Sequence, residues 1–367
     1  MKKRIAVWLH GGIGTGHFSQ GIPMLEKLLE RLSETFEIVI YSQAAPNSDF
    51  KSQRFRIRSS PVAISTDLLR WVYLYKYFVH DHRRNRFQVL FAFWGYPAGF
   101  VVTILGKMFT LPSAIYLQGG DAAGIPSINF GILHKPTISR LVKWAYRNAT
   151  LLLTMSRFQK DSLINNGVDR AVHIIPSGAD LSMYPFTAKK SHEVLRIIHV
   201  GHLTPVKDQA TLLKAFALLL KKRPAQLRIF GVDCLNGQLQ ILSKELGIVD
   251  YVDFRGMIPY NQMPEQYAWA DIMLHTSLSE GQSMALTEAA ACGVLMAGTR
   301  VGLLYDLGEE YGVTVEPGDY NGLTEKVYWI LNAPEEWKNR IQRSRAWSET
   351  HDLSWTANAL AKLLQAV

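Results

Sequence analysis

Cysteine is scarce in this 367-residue chain. The two cysteines, Cys234 and Cys292, lack the close paired spacing of a metal site. This scarcity argues against a fold built on disulfide bonds and fits a reducing compartment such as the cytoplasm. Charged residues are also few, at 19%, against 48% hydrophobic residues, which argues against a disordered chain. The length exceeds what one hydrophobic core usually supports, so two domains are predicted.

A long, unbroken hydrophobic run is absent as well. Residues 89–106 carry no charge, and such a stretch is long enough to raise the question of a membrane span. However, Gly95, Pro97 and Gly99 interrupt it. We therefore predict a buried strand, a turn and then a helix over residues 98–108 in place of a span.

Acidic residues are scarce in the first half of the chain. Residues 1–185 hold 22 Lys and Arg but 11 Asp and Glu, whereas residues 186–367 hold 18 and 20, within a net charge of +9. A basic half is typical of contact with an anionic partner, although a solubilising surface bias gives the same count. The aromatic and Arg-rich stretch 70–86 predicts either peripheral contact with an anionic membrane or a core helix with a solvated end. No nucleic-acid partner is predicted, because no recognisable module or basic face with stacking aromatic residues is present.

Short apolar segments alternate with helical patterns along the whole chain. The predicted strands are Ile5–Leu9, Ile38–Tyr41, Val89–Phe93, Ala114–Leu117 and Leu151–Thr154, then Arg196–Val200, Leu227–Phe230, Val252–Phe254, Ile272–His275 and Val294–Ala297. Helical segments between them include Pro23–Ser33, Gln209–Lys222, Leu239–Leu246 and Leu323–Leu331. This alternation predicts an α/β fold with two doubly wound parallel sheets, joined near Pro185–His192. Ligands bind at the carboxyl ends of such strands, so we expect the site in the loops that follow them.

The first of these loops lacks the residues of two common nucleotide sites. It reads Gly-Gly-Ile-Gly-Thr-Gly-His over residues 11–17, between a strand and a helix. The glycine spacing differs from a dinucleotide fingerprint and the second strand does not end in an acid, which disfavours NAD. No Gly-Lys-Ser/Thr follows, which excludes a P-loop. Two interpretations remain: a tight turn alone, or an acceptor or phosphate loop formed by Gly12, Gly14, Thr15, Gly16 and His17.

Two carboxylates in the second half suggest a site for a polyhydroxylated ligand. Glu280 lies in the loop after the strand at 272–275, and Glu288 lies early in the following helix. Carboxylates accept hydrogen bonds from paired hydroxyls, and the free amides of a helix that starts near Ser283 suit a diphosphate. Lys207, at another helix entrance, could neutralise a phosphate. On physical grounds alone, a helix N-terminus that simply favours Glu is an equally good interpretation.

The segment Glu280–Glu288 resembles the E-x7-E motif of the family 4 retaining glycosyltransferases, which have the GT-B fold. Four other segments resemble this family in the same order along the chain. They are Ile175–Asp180, similar to P-N-G-V-D; Val200–Lys207, similar to G-R-L-x-x-x-K; Ala297–Gly302, similar to the stretch after the motif; and Gly312–Asp319, similar to G-x-x-x-x-P-G-D. The resemblance extends over nearly the whole chain and implies two Rossmann-like parallel-sheet domains that face each other across a cleft.

The resemblance also implies a domain plan and a set of partners. Residues 1–185 would bind the acceptor, residues 186–350 would bind the nucleotide-sugar donor, and residues 351–367 would form a helix that packs back on the first domain. The acceptor would be a glycan or a lipid-linked sugar, and no metal or cofactor would be needed. The protein would act in the cytoplasm, with a peripheral position at the inner membrane surface as one option.

The same resemblance implies roles for the matching residues. Lys207 would hold the donor phosphates, Glu280 the transferred sugar and Glu288 the ribose. Further donor-binding candidates are Gly201, His202, Gly281, Gln282, Ser283 and Glu316. Asp121 keeps the acid of the family's H-G-x-D segment and joins Glu280 and Lys207 as a catalytic candidate.

Two positions depart from the family pattern. His202 stands where the family usually has arginine, and a neutral imidazole offers a diphosphate less charge than a guanidinium does. Gln118 stands where the family often has the histidine of H-G-x-D, and an amide cannot act as a general base. These departures keep a non-catalytic partner subunit open as an alternative function. A sugar-nucleotide epimerase on the same fold is a second alternative.

Overall fold

The computed structural model describes residues 2–52, 54–61, 66–188 and 193–367. The chain divides into two compact α/β units. The first unit consists of Met1–Met155, Gln159–Pro176 and Ser354–Val367, and the second consists of Ser156–Phe158 and Ser177–Leu353.

The first unit is built on a seven-stranded parallel sheet in the order β3-β2-β1-β4-β5-β6-β7. Its strands are β1 (Lys3–Leu9), β2 (Phe36–Ser42), β3 (Arg56–Ser59), β4 (Val89–Phe93), β5 (Ser113–Tyr116), β6 (Leu151–Thr154) and β7 (His173–Ile174). Its helices are α1 (Pro23–Thr35), α2 (Asp67–Arg84), α3 (Phe100–Phe109), α4 (Pro136–Asn148) and α5 (Arg157–Asn165), whose first two residues fall in the second unit.

The second unit is built on a six-stranded parallel sheet in the order β10-β9-β8-β11-β12-β13. Its strands are β8 (Leu195–Val200), β9 (Ala225–Phe230), β10 (Val252–Gly256), β11 (Ile272–His275), β12 (Leu295–Thr299) and β13 (Gly312–Val315). Its helices are α6 (Gln209–Leu220), α7 (Gln238–Glu245), α8 (Met263–Trp269), α9 (Met284–Ala291), α10 (Gly302–Leu307), α11 (Tyr320–Leu331) and α12 (Pro334–Thr350). The last helix, α13 (Leu353–Ala366), lies almost wholly in the first unit.

The central strands are apolar throughout because both faces of each sheet are covered. In β1 the residues from Ile5 to Leu9 are completely buried. In β8, Ile197 belongs to one hydrophobic cluster and its neighbour Ile198 to another. Successive side chains of a strand point to opposite faces, so these two clusters are the two sides of the second sheet. The predicted pair of doubly wound parallel sheets is confirmed.

Three strands were not predicted, namely β3, β7 and β13. They lie at sheet edges, where a strand has only one neighbour. Two of them are also poor in apolar signal: β3 carries Arg56 and Arg58, and β7 has only two residues. An edge strand does not need the continuous apolar run by which the central strands were recognised.

The division between the units falls at Pro176, earlier than the predicted boundary at residue 185. The reason is packing, because Ala179 and Tyr184 are completely buried in a core cluster of the second unit. Part of the predicted linker, residues 189–192, lies outside the described residues. At the other end, the Thr356 hydroxyl donates to the carbonyl of Pro176 at 2.8 Å within the first unit.

The uncharged stretch at residues 89–106 forms two separate elements, β4 and the start of α3. Within the described part of the chain, no helix combines the length and the hydropathy needed to cross a membrane.

Both sheets have a point at which the direction of winding reverses. In the first sheet it lies between β1 and β4, and in the second between β8 and β11. Such a point leaves a crevice at the carboxyl ends of the two strands, where open α/β sheets bind ligands. The glycine loop at residues 11–17 follows β1, and the loops with Lys207 and Glu280 follow β8 and β11.

Candidate functional site

A cation and a carboxylate meet at the switch point of the second unit. Lys207 follows β8, Glu280 follows β11, and the Lys207 Nζ lies 2.5 Å from the Glu280 Oε1. Their side chains are 21% and 11% exposed, so the pair is mostly buried but still accessible. Because the two strands are neighbours, the fold brings together residues that are 73 positions apart in sequence.

One oxygen of Glu280 accepts three hydrogen bonds. Besides Lys207, the Ser277 hydroxyl donates to Oε1 at 2.6 Å and the His275 Nε2–H donates to it at 3.0 Å. Among the described residues, none makes a hydrogen bond to the other oxygen, Oε2. Burial raises the pKa of Glu280, but the charge of Lys207 and the hydrogen bond from His275 outweigh it, so this pKa lies well below its ordinary value. The group is therefore a fixed anion with one oxygen left for a ligand.

Two buried imidazoles lie beneath this carboxylate. The rings of His199 and His275 are stacked with centroids 6.1 Å apart, and both side chains are completely buried. His199 Nδ1–H donates to the Leu274 carbonyl at 2.9 Å, so its Nε2 is free to accept from the Gln209 amide at 3.2 Å. Burial, together with His275, lowers the pKa of His199 to about 3, and burial also lowers the pKa of His275. Both rings are therefore neutral near pH 7.

A glycine packs directly against the Glu280 loop. A Cβ on Gly302 would lie 2.6 Å from the Gln282 carbonyl oxygen and 2.8 Å from the Glu280 Cβ. Gly302 also has a φ of +53°, in the left-handed region that other residues rarely adopt. A side chain at this position would displace the loop that carries Glu280.

The start of α9 combines the free backbone amides of a helix N-terminus, which favour an anion, with a buried polar side chain. Ser283, just before the helix, has a φ of 81°, and its buried hydroxyl makes no hydrogen bond to any described residue. Gln282 is 1% exposed, and its side chain bonds to both backbone groups of Ser177 and to the Thr287 hydroxyl. The Gln282 side chain thus fastens the loop, whereas the backbone of this turn is what it can offer a ligand.

The second carboxylate, Glu288, is enclosed by tyrosines. The Tyr260 hydroxyl donates to Oε1 and the Tyr267 hydroxyl to Oε2, each at 2.8 Å. Tyr184 packs edge-on against both tyrosine rings, at 5.8 Å from each. Glu288 is 5% exposed, and burial outweighs the hydrogen bonds from Tyr267 and Tyr260 and raises its pKa to about 7. No local pattern in the sequence points to these tyrosines.

The remaining predicted donor-side residues line the same region or its margin. His202 is exposed, and its Nδ1 accepts from the Val232 amide at 3.1 Å, which leaves Nε2 as the protonated nitrogen. Its carbonyl accepts from the Gln209 side chain at 3.0 Å. Gly201, at the end of β8, is half-buried, and Glu316, after β13, is exposed.

The glycine loop of the first unit has the backbone that its sequence predicts. Gly12, Gly14 and Gly16 have φ values of +98°, +56° and +70°. A Cβ on Gly14 would lie 2.1 Å from the Phe50 ring, and the Gly14 carbonyl accepts from the Asn47 amide at 2.8 Å. Thr15 is half-buried and His17 is exposed. The loop therefore presents backbone and small side chains at the switch point of the first sheet.

Asp121 lies inside the first unit. It is 3% exposed and accepts from the Gln118 amide at 2.8 Å. Burial raises its pKa to about 6, against the hydrogen bonds from the Gln118 and Gly95 amides. The carboxylate thus fixes the loop after β5, and that loop leaves Gln118 half-buried at the carboxyl end of the strand.

In the part of the chain that the structure describes, no group of three or more His, Cys, Asp or Glu side chains is placed to hold a metal ion.

Comparison with known families covers both units. The model of the family "Glycosyltransferase Family 4" matches residues 24–183, and that of "Glycosyl transferases group 1" matches residues 184–347. One component of the phosphatidylinositol N-acetylglucosaminyltransferase of Arabidopsis thaliana is 26% identical over 199 residues, which are 52% of this chain and 44% of that protein. N-acetyl-alpha-D-glucosaminyl L-malate synthase of Bacillus anthracis is 31% identical over 151 residues, 41% of this chain and 39% of that protein. These matches span less than half the length of either relative.

Solved structures match over the whole chain. Sucrose-phosphate synthase from Thermosynechococcus elongatus has a TM-score of 0.84 at 19% identity, with coverage of 100% of this chain and 99% of that one. HepE of Anabaena in complex with UDP-glucose has a TM-score of 0.78 at 18% identity, with coverage of 99% and 100%. At these identities the likeness concerns the fold. The two family models together with the two parallel-sheet units place this chain among the family 4 glycosyltransferases of the group 1 type, with the GT-B fold.

Proposed function

We propose that this protein transfers a sugar from a nucleotide-sugar donor to a glycan or lipid-linked acceptor, with retention of configuration and without a metal ion. The contact between Lys207 and Glu280 at the switch point of the second unit carries this proposal. An open parallel sheet binds its ligand at such a point, and a cation beside a carboxylate suits a phosphate beside a sugar. HepE, a protein of the same fold solved with UDP-glucose, suggests the first donor to test.

Each half of the donor has a matching group in this proposal. Lys207 and the backbone amides of Gly281, Gln282 and Ser283 bind the diphosphate, and the buried Ser283 hydroxyl adds one more donor. Glu280 accepts hydrogen bonds from the hydroxyls of the transferred sugar through its open oxygen, Oε2. Gly201 and His202 border the phosphates, and Glu316 borders the nucleobase.

Glu288 binds the ribose in this proposal. Each of its oxygens accepts from one tyrosine, and a carboxylate has about four acceptor positions. Two positions are therefore left for the ribose hydroxyls. The tyrosines hold the carboxylate in one orientation before the donor arrives, which removes part of the entropic cost of binding.

Charge on the departing diphosphate is stabilised without a metal. As the acceptor oxygen forms its bond to the anomeric carbon, the bond from that carbon to the diphosphate oxygen breaks, and the diphosphate keeps the electron pair. The acceptor's proton passes to the departing oxygen on the same face, so the configuration is retained. Lys207 supplies a cationic group for this charge, and the amides at the start of α9 supply preorganised dipoles. Glu280 is a poor general base because its pKa lies below the ordinary value, which suits the role of a fixed acceptor.

The acceptor is assigned to the first unit. Its glycine loop, with Gly12, Gly14 and Gly16, presents backbone at the switch point, and the exposed His17 lies at its end. Asp121 acts through the loop after β5, where it holds Gln118 in place, and we assign it a positioning role.

Contact with an anionic membrane is a further part of the proposal. One side of α2 exposes Leu69, Val72 and Tyr73, which are 52%, 40% and 39% exposed, and the end of the helix exposes Arg83 and Arg84. Exposed apolar residues at one end of a helix and arginines at the other suit a peripheral position on anionic lipid. In cosedimentation with phosphatidylglycerol vesicles at low salt, the protein should bind and the double variant Arg83→Glu/Arg84→Glu should not. Equal binding of both proteins, or none by either, contradicts this part.

The transfer itself is tested in two steps. A thermal-shift screen of UDP-, GDP- and ADP-sugars should find a donor that stabilises the protein, because a ligand that binds only the folded state raises its stability. That donor is then incubated with glycan acceptors, and the anomeric configuration of the product is read from its proton coupling by NMR. Product with the donor's configuration supports the proposal, and an inverted product refutes retention. If the protein binds the donor but releases no nucleoside diphosphate with any acceptor, the non-catalytic subunit is favoured instead.

A further inference from the structure

The ion pair of the donor site has a consequence for Glu280. Lys207 makes a direct contact with Glu280 Oε1. A lysine ammonium is a point charge that follows the strongest nearby anion, and a diphosphate carries more charge than one carboxylate does. If Lys207 turns to the diphosphate, Glu280 loses its cation while its side chain stays nearly buried, at 11% exposed. Two donors then remain on this oxygen, His275 and Ser277.

His275 is the more rigid of the two. It is the last residue of β11, it pairs with Gly298 of β12, and its ring is stacked on His199. Since Nε2 lies 3.0 Å from an ionised carboxylate, Nε2 carries the proton. The Ser277 Oγ also lies 3.1 Å from this nitrogen, so Nε2 faces both the Glu280 carboxylate and the hydroxyl that itself donates to Glu280.

The other ring nitrogen has an unfavourable environment. His275 Nδ1 is buried and makes no hydrogen bond to any of the described residues. A buried acceptor without a partner costs free energy, so an apolar side chain would suit this interior position better than an imidazole does. The contact with Glu280 is the interaction that offsets this cost.

We propose that His275 is a positioning residue, whose Nε2–H keeps Glu280 oriented toward the transferred sugar when Lys207 turns to the donor's diphosphate. The inference rests on the proposed function, because it needs a diphosphate donor at Lys207. His275 lies outside the segments that resemble the family, and the inference gives it a part in the chemical step. His275 acts through Glu280, and it makes no contact with the substrate itself.

The chain offers a matched control for this role. His199 is also a completely buried imidazole and packs against His275, but its two nitrogens contact Leu274 and Gln209 and leave Glu280 untouched. Replacement of either histidine by leucine removes a buried ring, whereas only His275→Leu removes a donor to Glu280. His275→Gln places an amide N–H near the position of Nε2, and the shorter His275→Asn does not reach it.

The test uses the full-length wild type and the variants H275L, H275Q, H275N and H199L. UDP-glucose, UDP-N-acetylglucosamine and GDP-mannose serve as donor probes, with release of UDP or GDP as the readout. We expect H275L and H275N to lower kcat by about ten- to a hundredfold, the range of one hydrogen bond to a charged group, with the donor KM within about threefold. We expect H275Q to recover most of kcat and H199L to stay within about threefold of wild type.

Three results overturn the inference while the proposed function stands. They are an active wild type with H275L equally active, a loss in H199L as large as in H275L, and no advantage of H275Q over H275N. If H275L does not fold, the comparison of H275Q with H275N decides alone. A wild type that turns over none of the three donors and binds neither UDP nor GDP in calorimetry refutes the proposed function itself.

Discussion

Removal of the Lys207 ammonium is the perturbation whose effect follows most directly from the structure. Lys207→Ala takes away a cation that lies 2.5 Å from Glu280 and is 21% exposed. A hydrogen bond between a charged pair is worth about 1.5–3 kcal/mol, and partial exposure favours the lower part of that range. At about 1.4 kcal/mol per factor of ten, we expect nucleoside diphosphate to bind about 10- to 100-fold more weakly.

The same change has a separate effect on folding. Glu280 remains nearly buried without its cation, so Lys207→Ala should also lower the free energy of unfolding by about 1–3 kcal/mol. The double variant Lys207→Ala/Glu280→Gln removes the unpaired charge and should recover that stability without recovering diphosphate binding. This separation distinguishes a binding role from a structural one.

The assay is isothermal titration calorimetry with UDP and GDP, beside thermal melts of each variant. Lys222→Ala is the control, because Lys222 pairs with Glu325 on the surface of the same unit and follows the C-terminal end of α6, whereas Lys207 precedes its N-terminal end. It should bind diphosphate as the wild type does. Unchanged affinity in Lys207→Ala, or an equal loss in Lys222→Ala, contradicts the assigned phosphate role.

Four further predictions concern Glu288, Gly302 and Asp121. Burial raises the pKa of Glu288 from its ordinary value of 4.5 to about 7, so the ionised carboxylate destabilises the folded protein increasingly as the pH rises from 4.5 to 7. The melting temperature of Glu288→Gln should therefore rise relative to that of the wild type over this pH range. A difference in melting temperature that does not change with pH contradicts the buried carboxyl. The ribose needs the ionised form as an acceptor, so wild-type donor affinity measured by calorimetry should rise between about pH 6 and 8, and the Glu288→Gln variant should show no such rise. Gly302→Ala should lower turnover by about tenfold or more, because its Cβ would lie 2.8 Å from the Glu280 Cβ. Gly308→Ala is the control, because Gly308 also has a positive φ, +72°, but a Cβ there would have nothing within 4 Å, so this variant should show backbone strain alone. Equal turnover in the two variants argues against an effect of the clash with Glu280. Asp121→Asn should lower the melting temperature by a few degrees, because Asp121 holds a loop of the first unit through the Gln118 amide. The affinity for nucleoside diphosphate should stay unchanged, and a loss of that affinity shows that the carboxylate has another role.

The sequence predicted the parts of the fold that depend on local pattern. Central strands such as β4 and β11 were found with their bounds, because a strand buried on both faces needs an unbroken apolar run. The strand β3 was missed because its arginines stand at a sheet edge, where no such run is required. The position of Glu280 after a strand was likewise readable from its neighbours.

The contacts within the site could not be read in the same way. Lys207 and Glu280 meet because β8 and β11 are adjacent, and strand order is a property of the whole sheet. The tyrosine hydroxyls on Glu288 come from residues 21 and 28 positions away, in α8 and in a 3-10 helix just before it, and no local periodicity links them to Glu288. His275 stood at the end of a predicted strand. Its contact with the Glu280 carboxylate depends on the conformation of the turn between them, which the local pattern does not show.

The central claim is that the Lys207–Glu280 pair is the donor site of a sugar transfer. The most direct test compares the wild type with Glu280→Gln, supplied with the stabilising nucleotide sugar and a glycan acceptor, and measures glycoside and nucleoside diphosphate in the same reaction. The wild type should form the two products in equal amounts. Glu280→Gln should still bind nucleoside diphosphate but turn over about 100-fold more slowly, an effect of the size seen when one preorganised electrostatic group is removed. Glu280→Gln with wild-type turnover, or a wild type that binds donor and forms no glycoside with any acceptor, contradicts it.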